Sequence, residues 1–154
     1  MHLFEKNIKN LGIELPSPPS ALANYVPFKV VDNLVYISGQ APAKNGEILY
    51  KGKIGAEISE EKGIEAAKLC CLNIISTLKL CIANDWNKFE EFIKIGGFVN
   101  CNSDFTAHPK IINGASDLLV SIFGNQGKHA RFAVGSSSLP LDISVEIDAI
   151  VKIK

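Results

Sequence analysis

The run Ser144-Val145-Glu146-Ile147-Asp148-Ala149-Ile150-Val151-Lys152-Ile153 settles the fold class. Val145, Ile147, Ala149, Val151 and Ile153 fall on one side of an extended chain, and Glu146, Asp148, Ile150 and Lys152 on the other. Period-two alternation of this kind predicts a strand with one face on a core. Upstream, Arg131 to Gly135 reads as another strand, and Leu139-Pro140 breaks the chain between the two. Arg131 is the only arginine of the chain, set among Ala130, Phe132, Ala133 and Val134. A planar guanidinium grips a carboxylate with two parallel hydrogen bonds, which an ammonium cannot do. An unpaired charge in an apolar run is costly. Arg131 and Glu146 therefore read either as a grip and a catalyst for a small carboxylate or as a structural Arg–Glu pair.

Working back from Arg131, a helix is expected from about Pro109, a residue tolerated in a first turn, to a stop at Gly124. Ile112, Ala115, Leu118, Leu119 and Ile122 repeat along it at helical spacing. A strand runs through Glu91 to Val99, and its Gly96-Gly97 pair suggests a bulge or a close backbone approach. A further helix begins at the cap Ser59, with Glu60 and Glu61 in its first turn, where negative charge suits the helix dipole. It carries Ile64, Ala67, Cys71, Ile74, Ile75 and Leu78, with Gly63 as a local weakness. Phe28–Val31 and Leu34–Ser38 flank Asp32-Asn33 as a hairpin. The loop from Pro42 to Gly55 holds a short candidate strand at Ile48-Leu49-Tyr50. Residues 1 to 24, punctuated by Pro16-Ser17-Pro18-Pro19, read as an extended arm ending near Tyr25. The order is β-β-(β)-α-β-α-β-β. It predicts an α+β domain, a mixed sheet with two helices on one face, spanning residues 1–154 as a single unit.

Composition narrows the function. The chain has 154 residues, 47% apolar and 21% charged, and a formal net charge of zero. Nucleic-acid capture normally needs a surplus of Lys and Arg, so nucleic acid is not an expected partner. No long apolar stretch follows Met1, so neither a secretory signal nor a membrane span is expected. Cys70, Cys71, Cys81 and Cys101 form no Cys-x-x-Cys pair and read as small buried hydrophobes of a reducing, cytoplasmic compartment. His2, His108 and His129 show no metal-ligand spacing, and no metal site is expected. Cys101 is the thiol best placed to react, and His108 and His129 read as a helix-start and a loop residue.

Taken together, the Tyr25 region, Asn33-Leu34-Val35-Tyr36-Ile37-Ser38-Gly39-Gln40, Asn113, and Ala130-Arg131 through Leu139-Pro140 to Val145-Glu146-Ile147 resemble the Rid family. This family of reactive intermediate deaminases is also called YjgF-like or L-PSP endoribonuclease-like. The resemblance implies a chorismate-mutase-like fold and a homotrimer with clefts between subunits. It also implies cofactor-free hydrolysis of enamines and imines of the 2-aminoacrylate type to 2-oxo acids and ammonia. By the same resemblance Arg131 grips the substrate carboxylate and Glu146 positions or activates water. Tyr25 is a cleft tyrosine, Ser38 and Gly39 lie beside the pocket, Asn113 lines the cleft, and Ala133 follows the arginine at the pocket wall. The chain departs from the best-studied branch at Ala23-Asn24-Tyr25-Val26, at Phe132-Ala133, and in a longer segment from Asn100 to Lys110, and so resembles a divergent subgroup. Phe132 and the altered tyrosine segment suit a second reading, a non-catalytic module that binds a small carboxylate. RNA cleavage is suggested by the family's older name alone, and a chorismate-mutase-type isomerase is more remote still.

Overall fold

A computed structural model describes residues 1–20 and 23–154. The hairpin forms as expected, from β1 (Phe28–Val31) and β2 (Leu34–Gln40), with Val31 opposite Leu34. Asp32 takes the left-handed conformation at the turn (φ 52°), which Asp tolerates better than most residues. Ala43–Lys44 (β3) and Glu47–Ile48 (β4) make a small separate ladder, so the short strand lies slightly upstream of Ile48–Tyr50. Helix α2 (Glu60–Cys81) starts where Ser59 accepts a hydrogen bond from the Lys62 amide at 3.2 Å. Strand β5 (Phe89–Asn100), helix α3 (His108–Phe123), strand β6 (Ala130–Ser136) and strand β7 (Val145–Ile153) complete the order. Gly124 ends α3 with φ 60°.

The five-stranded sheet runs β1-β2-β7-β5-β6. Strand β7 pairs antiparallel with both β2 and β5, whereas β5 and β6 are parallel and α3 is the crossover between them. The alternation along β7 sorts the layers: Val145, Ile147, Ala149 and Val151 are buried, while Glu146 and Ile150 are half-buried and Asp148 exposed. Helices α2 and α3 cover the first set. At Gly96-Gly97 the β5–β7 register is unbroken, and the irregularities fall earlier, between Phe89 and Glu91 and between Phe92 and Lys94. The pair therefore serves close approach rather than a bulge: a Cβ on Gly97 would come within 2.6 Å of the Ile112 side chain of α3.

Residues 3–10 correct the expectation of an extended arm. They form helix α1 (Leu3–Asn10), which buries Phe4 and Ile8, one turn apart on one face. Phe4 stands edge-on to Trp86, Phe89 and Phe123 with ring centroids 4.9–5.9 Å away. Asn7 donates to the Ile122 carbonyl at 2.7 Å. A helix of this length is marginal alone, and it is this aromatic contact that stabilises it. The proline-rich stretch is extended as read: Ser76 of α2 donates to the Pro16 carbonyl at 2.7 Å, so the strap lies across α2. Residues 21 and 22 of the expected arm lie outside the described residues. Cys70 and Cys71 are fully buried as expected, their thiols directed at the Val145 and Ala115 carbonyls, and burial raises the pKa of both.

The two helices meet at Gly114, where a Cβ would overlap the Ile64 carbonyl oxygen. Alanine normally favours a helix over glycine by about 1 kcal/mol. Here the neighbour is backbone and cannot step aside, and overpacking costs about 1–3 kcal/mol. Gly114→Ala is expected to lower the urea midpoint despite its better helix propensity. An unchanged or higher midpoint would show that the helices separate at little cost.

Candidate active site

Successive side chains of edge strand β6 point to opposite faces of the sheet, and that decides where its charge goes. Arg131 points to the helix side: one Nη donates to Ser116 Oγ at 3.1 Å and the other to the Pro109 carbonyl at 3.4 Å. Among the described residues no carboxylate lies within ion-pair distance of it. Phe132 takes the other face, 5.4 Å from the Phe98 ring and beneath the Lys94 ammonium, 5.3 Å from the ring centroid. It therefore does not plug the arginine from its own chain. Ala133 shares the Arg131 side and packs against the core.

Glu146 lies on the opposite face. Between the buried Val145 and Ile147, its side chain leans on Gly39 of β2, where any Cβ would overlap Oε1. Gly39 sits within the register break between Ile37 and Gln40, and the missing side chain is what admits the carboxylate. Burial first, and the neighbouring Asp148 second, raise the pKa of Glu146 above its ordinary value. Gly39, Ser38 and Tyr25 line a cavity of about 500 Å³, walled also by Gln40 and Asn73. Ser38 donates its hydroxyl to the Val26 carbonyl at 2.7 Å, the bond of a strand-end residue rather than of a nucleophile. Tyr25 is half exposed at the rim.

Tyr25, Ser38 and Gly39 thus share one cavity and Glu146 meets its wall at Gly39, while Arg131 and Ala133 stand apart from them. The sheet order places β6 two strands from β7, roughly 10 Å away, with Arg131 and Glu146 on opposite faces. An Arg–Glu pair within one chain is ruled out by that geometry. Asn113 falls elsewhere again, in the groove between α2 and α3 with Ile64, Lys68 and Leu118.

Sequence reading missed Ser116, the residue that receives the arginine. Its signal was a hydroxyl beside the apolar stripe of Ile112, Ala115 and Leu119. His129, read as a loop residue, has Nε2 2.9 Å from the same hydroxyl. Cys101 lies 3.4 Å from His108 Nε2, but burial raises its pKa.

A family profile described as "YjgF/chorismate_mutase-like, putative endoribonuclease" matches residues 5–150. The chain is 35% identical to protein TCP17 of Trypanosoma cruzi over 148 residues, covering 96% of this chain and 92% of that one. Among solved structures, Agrobacterium tumefaciens Atu1372, of unknown function, superposes with a TM-score of 0.92 at 42% identity, over 99% of this chain and 93% of the other. Escherichia coli TdcF, solved with bound serine, shares the fold with a TM-score of 0.61 at 20% identity, covering 87% and 91%.

Proposed function

The chain belongs to the YjgF/chorismate mutase-like family, and from that premise we propose that it is an enamine/imine deaminase. Its substrates are small imino acids of the 2-aminoacrylate type, and its products are 2-oxo acids and ammonia. The observation that carries this reading is the state of Arg131. The sole arginine is held by two neutral acceptors and, among the described residues, pairs with no carboxylate, which leaves guanidinium N–H groups for the carboxylate of a ligand. The serine bound to TdcF carries such a carboxylate.

The reaction needs little more than position. With the carboxylate clamped, the imine carbon is held still for attack. Glu146 takes a proton from water, the water oxygen bonds to the imine carbon as the C=N electrons move to nitrogen, and Glu146 returns that proton to the nitrogen. The hydroxyl proton of this carbinolamine then passes through Glu146 to the nitrogen, the C–N bond breaks, ammonia leaves, and the carbonyl of the 2-oxo acid forms. An enamine substrate first takes a proton on carbon to become the imine. The raised pKa of Glu146 makes it a stronger base than an ordinary carboxylate. No cofactor takes part.

Because Arg131 and Glu146 sit on opposite faces, one small substrate touching both needs them from different copies of the chain. The helix-free face of the sheet supports assembly. Phe98, Val134 and Tyr36 are exposed there, Tyr36 opposite Ile150 and Phe98 opposite Glu146. Bare aromatic patches on a sheet mark interfaces. We expect a homotrimer, with Arg131 of one subunit facing Tyr25, Ser38, Gly39 and Glu146 of the next. Light scattering at micromolar concentration checks the assembly, and a stable monomer would defeat the shared site. Activity is checked with imines generated in situ by an amino-acid oxidase. Decay faster than the uncatalysed rate supports the deaminase; 2-oxo acid binding without faster decay supports a carboxylate-sensing module instead.

A further inference from the structure

The geometry points to Ser116 and His129 as positioning residues that hold the Arg131 guanidinium in its ligand-facing pose. The inference rests on the carboxylate-gripping role proposed for Arg131, and it follows from a chain of hydrogen bonds whose directions can be assigned. His129 Nδ1 lies 2.6 Å from the Gly127 carbonyl oxygen. A carbonyl only accepts, so Nδ1 carries the proton. In the neutral ring Nε2 is then an acceptor, and 2.9 Å away stands the Ser116 hydroxyl, which donates to it. With its proton committed, Ser116 Oγ turns its lone pairs to Arg131, whose Nη1 donates at 3.1 Å. One polarity runs through the whole relay, from guanidinium to hydroxyl to imidazole to main-chain carbonyl.

The far end of the relay is fixed by packing. Gly127 is buried against α3, and a Cβ there would overlap the Leu119 carbonyl. Only glycine allows this approach, so the carbonyl that sets the His129 tautomer is anchored to the helix that also carries Ser116. A protonated His129 would reverse the polarity. Its Nε2–H would donate to Ser116 Oγ, which would then receive two cationic donors at once. The neutral ring suits the arginine, and the second Nη bond, to the Pro109 carbonyl, fixes the guanidinium plane from the first turn of the same helix. Arg131 would otherwise have several rotatable bonds to immobilise when a ligand arrives, and the relay makes part of that ordering before binding.

Since Arg131 is the sole arginine, isotope labelling of arginine reports on it alone. In the parent protein, nitrogen NMR is expected to show separate Nη environments with slow rotation about Cζ–Nη, and a His129 ring protonated at Nδ1 and bare at Nε2. Ser116→Ala should merge the Nη signals and loosen pyruvate, a small 2-oxo acid probe, by about tenfold, the scale of one charge-assisted hydrogen bond. Ser116→Thr, which keeps a hydroxyl, should restore both. A merely structural serine would lower the melting temperature but leave the Nη signals of the folded fraction unmoved. The proposal is overturned if Ser116→Ala shows the parent's Nη signals, or if His129 in the parent is a neutral ring protonated at Nε2. Should Ser116→Ala not fold, the parent's His129 tautomer still decides. If Arg131→Ala binds pyruvate like the parent, the carboxylate reading fails by itself, and the nitrogen signals continue to judge the relay.

Discussion

Arg131→Lys is expected to lose small 2-oxo acids almost as completely as Arg131→Ala. Lysine keeps the charge but not the planar fork, and it cannot bond Ser116 and the Pro109 carbonyl while still presenting two parallel donors. Removing one partner of a desolvated, charge-assisted pair costs about 2–5 kcal/mol, roughly 30- to 4,000-fold in Kd. Isothermal calorimetry with pyruvate measures it. Folding should survive, because among the described residues no carboxylate pairs with this charge. A variant lysine protein that binds like the parent would refute the clamp, and an Arg131→Ala chain that fails to fold would make the arginine structural after all.

Glu146→Gln should separate binding from turnover. Shape and most hydrogen-bonding capacity remain, and the base is gone. A positioned acid–base group contributes about 10²–10⁴-fold, so imine decay should fall by that factor while pyruvate binds as before. The pH profile carries the same signature. Because the pKa of Glu146 is raised, the parent's rate should fall on the acid side along a limb that lies above the ordinary value of 4.5, and the variant should lack that limb. Stability moves the other way. A carboxyl whose folded pKa is raised contributes fully below its unfolded value, and that contribution is lost as pH rises through the folded value. Gln does not titrate, so the variant's melting temperature relative to the parent should be higher at pH 7 than at pH 4. Full activity in Glu146→Gln would hand water activation to backbone groups or Tyr25 and leave Glu146 a strand carboxylate.

Periodicity made most of the fold legible. The strict alternation of β7 and the helical spacing of Ile74, Leu78, Ile112 and Leu119 are consequences of burying one face, and burial is written into composition at fixed intervals. Ser59 and Gly124 marked helix ends because their chemistry acts within a turn of where they stand. Helix α1 was not legible for the opposite reason: eight residues carry too little local preference, and Phe4 becomes informative only beside Trp86, Phe89 and Phe123, which lie more than 80 positions away. Gly96-Gly97 announced a constraint but not its kind, since it is Asp148 and Phe132 facing Gly96, and Ile112 facing Gly97, that make it close approach.

The same division runs through the candidate site. One arginine and one glutamate in apolar runs are legible directly along the chain, and the resemblance gave both a role. Which face each occupies was decided by the tertiary structure, because β6 and β7 are separated by β5 and alternate independently. Arg131 therefore turns to α3 while Glu146 turns to Gly39. Ser116 stands between His129 and Arg131 only because the parallel β5–α3–β6 crossover lays the middle of α3 beside the start of β6. Hydrogen-bond partners 15 positions apart in sequence leave no periodic trace; they exist only once the sheet has set the register.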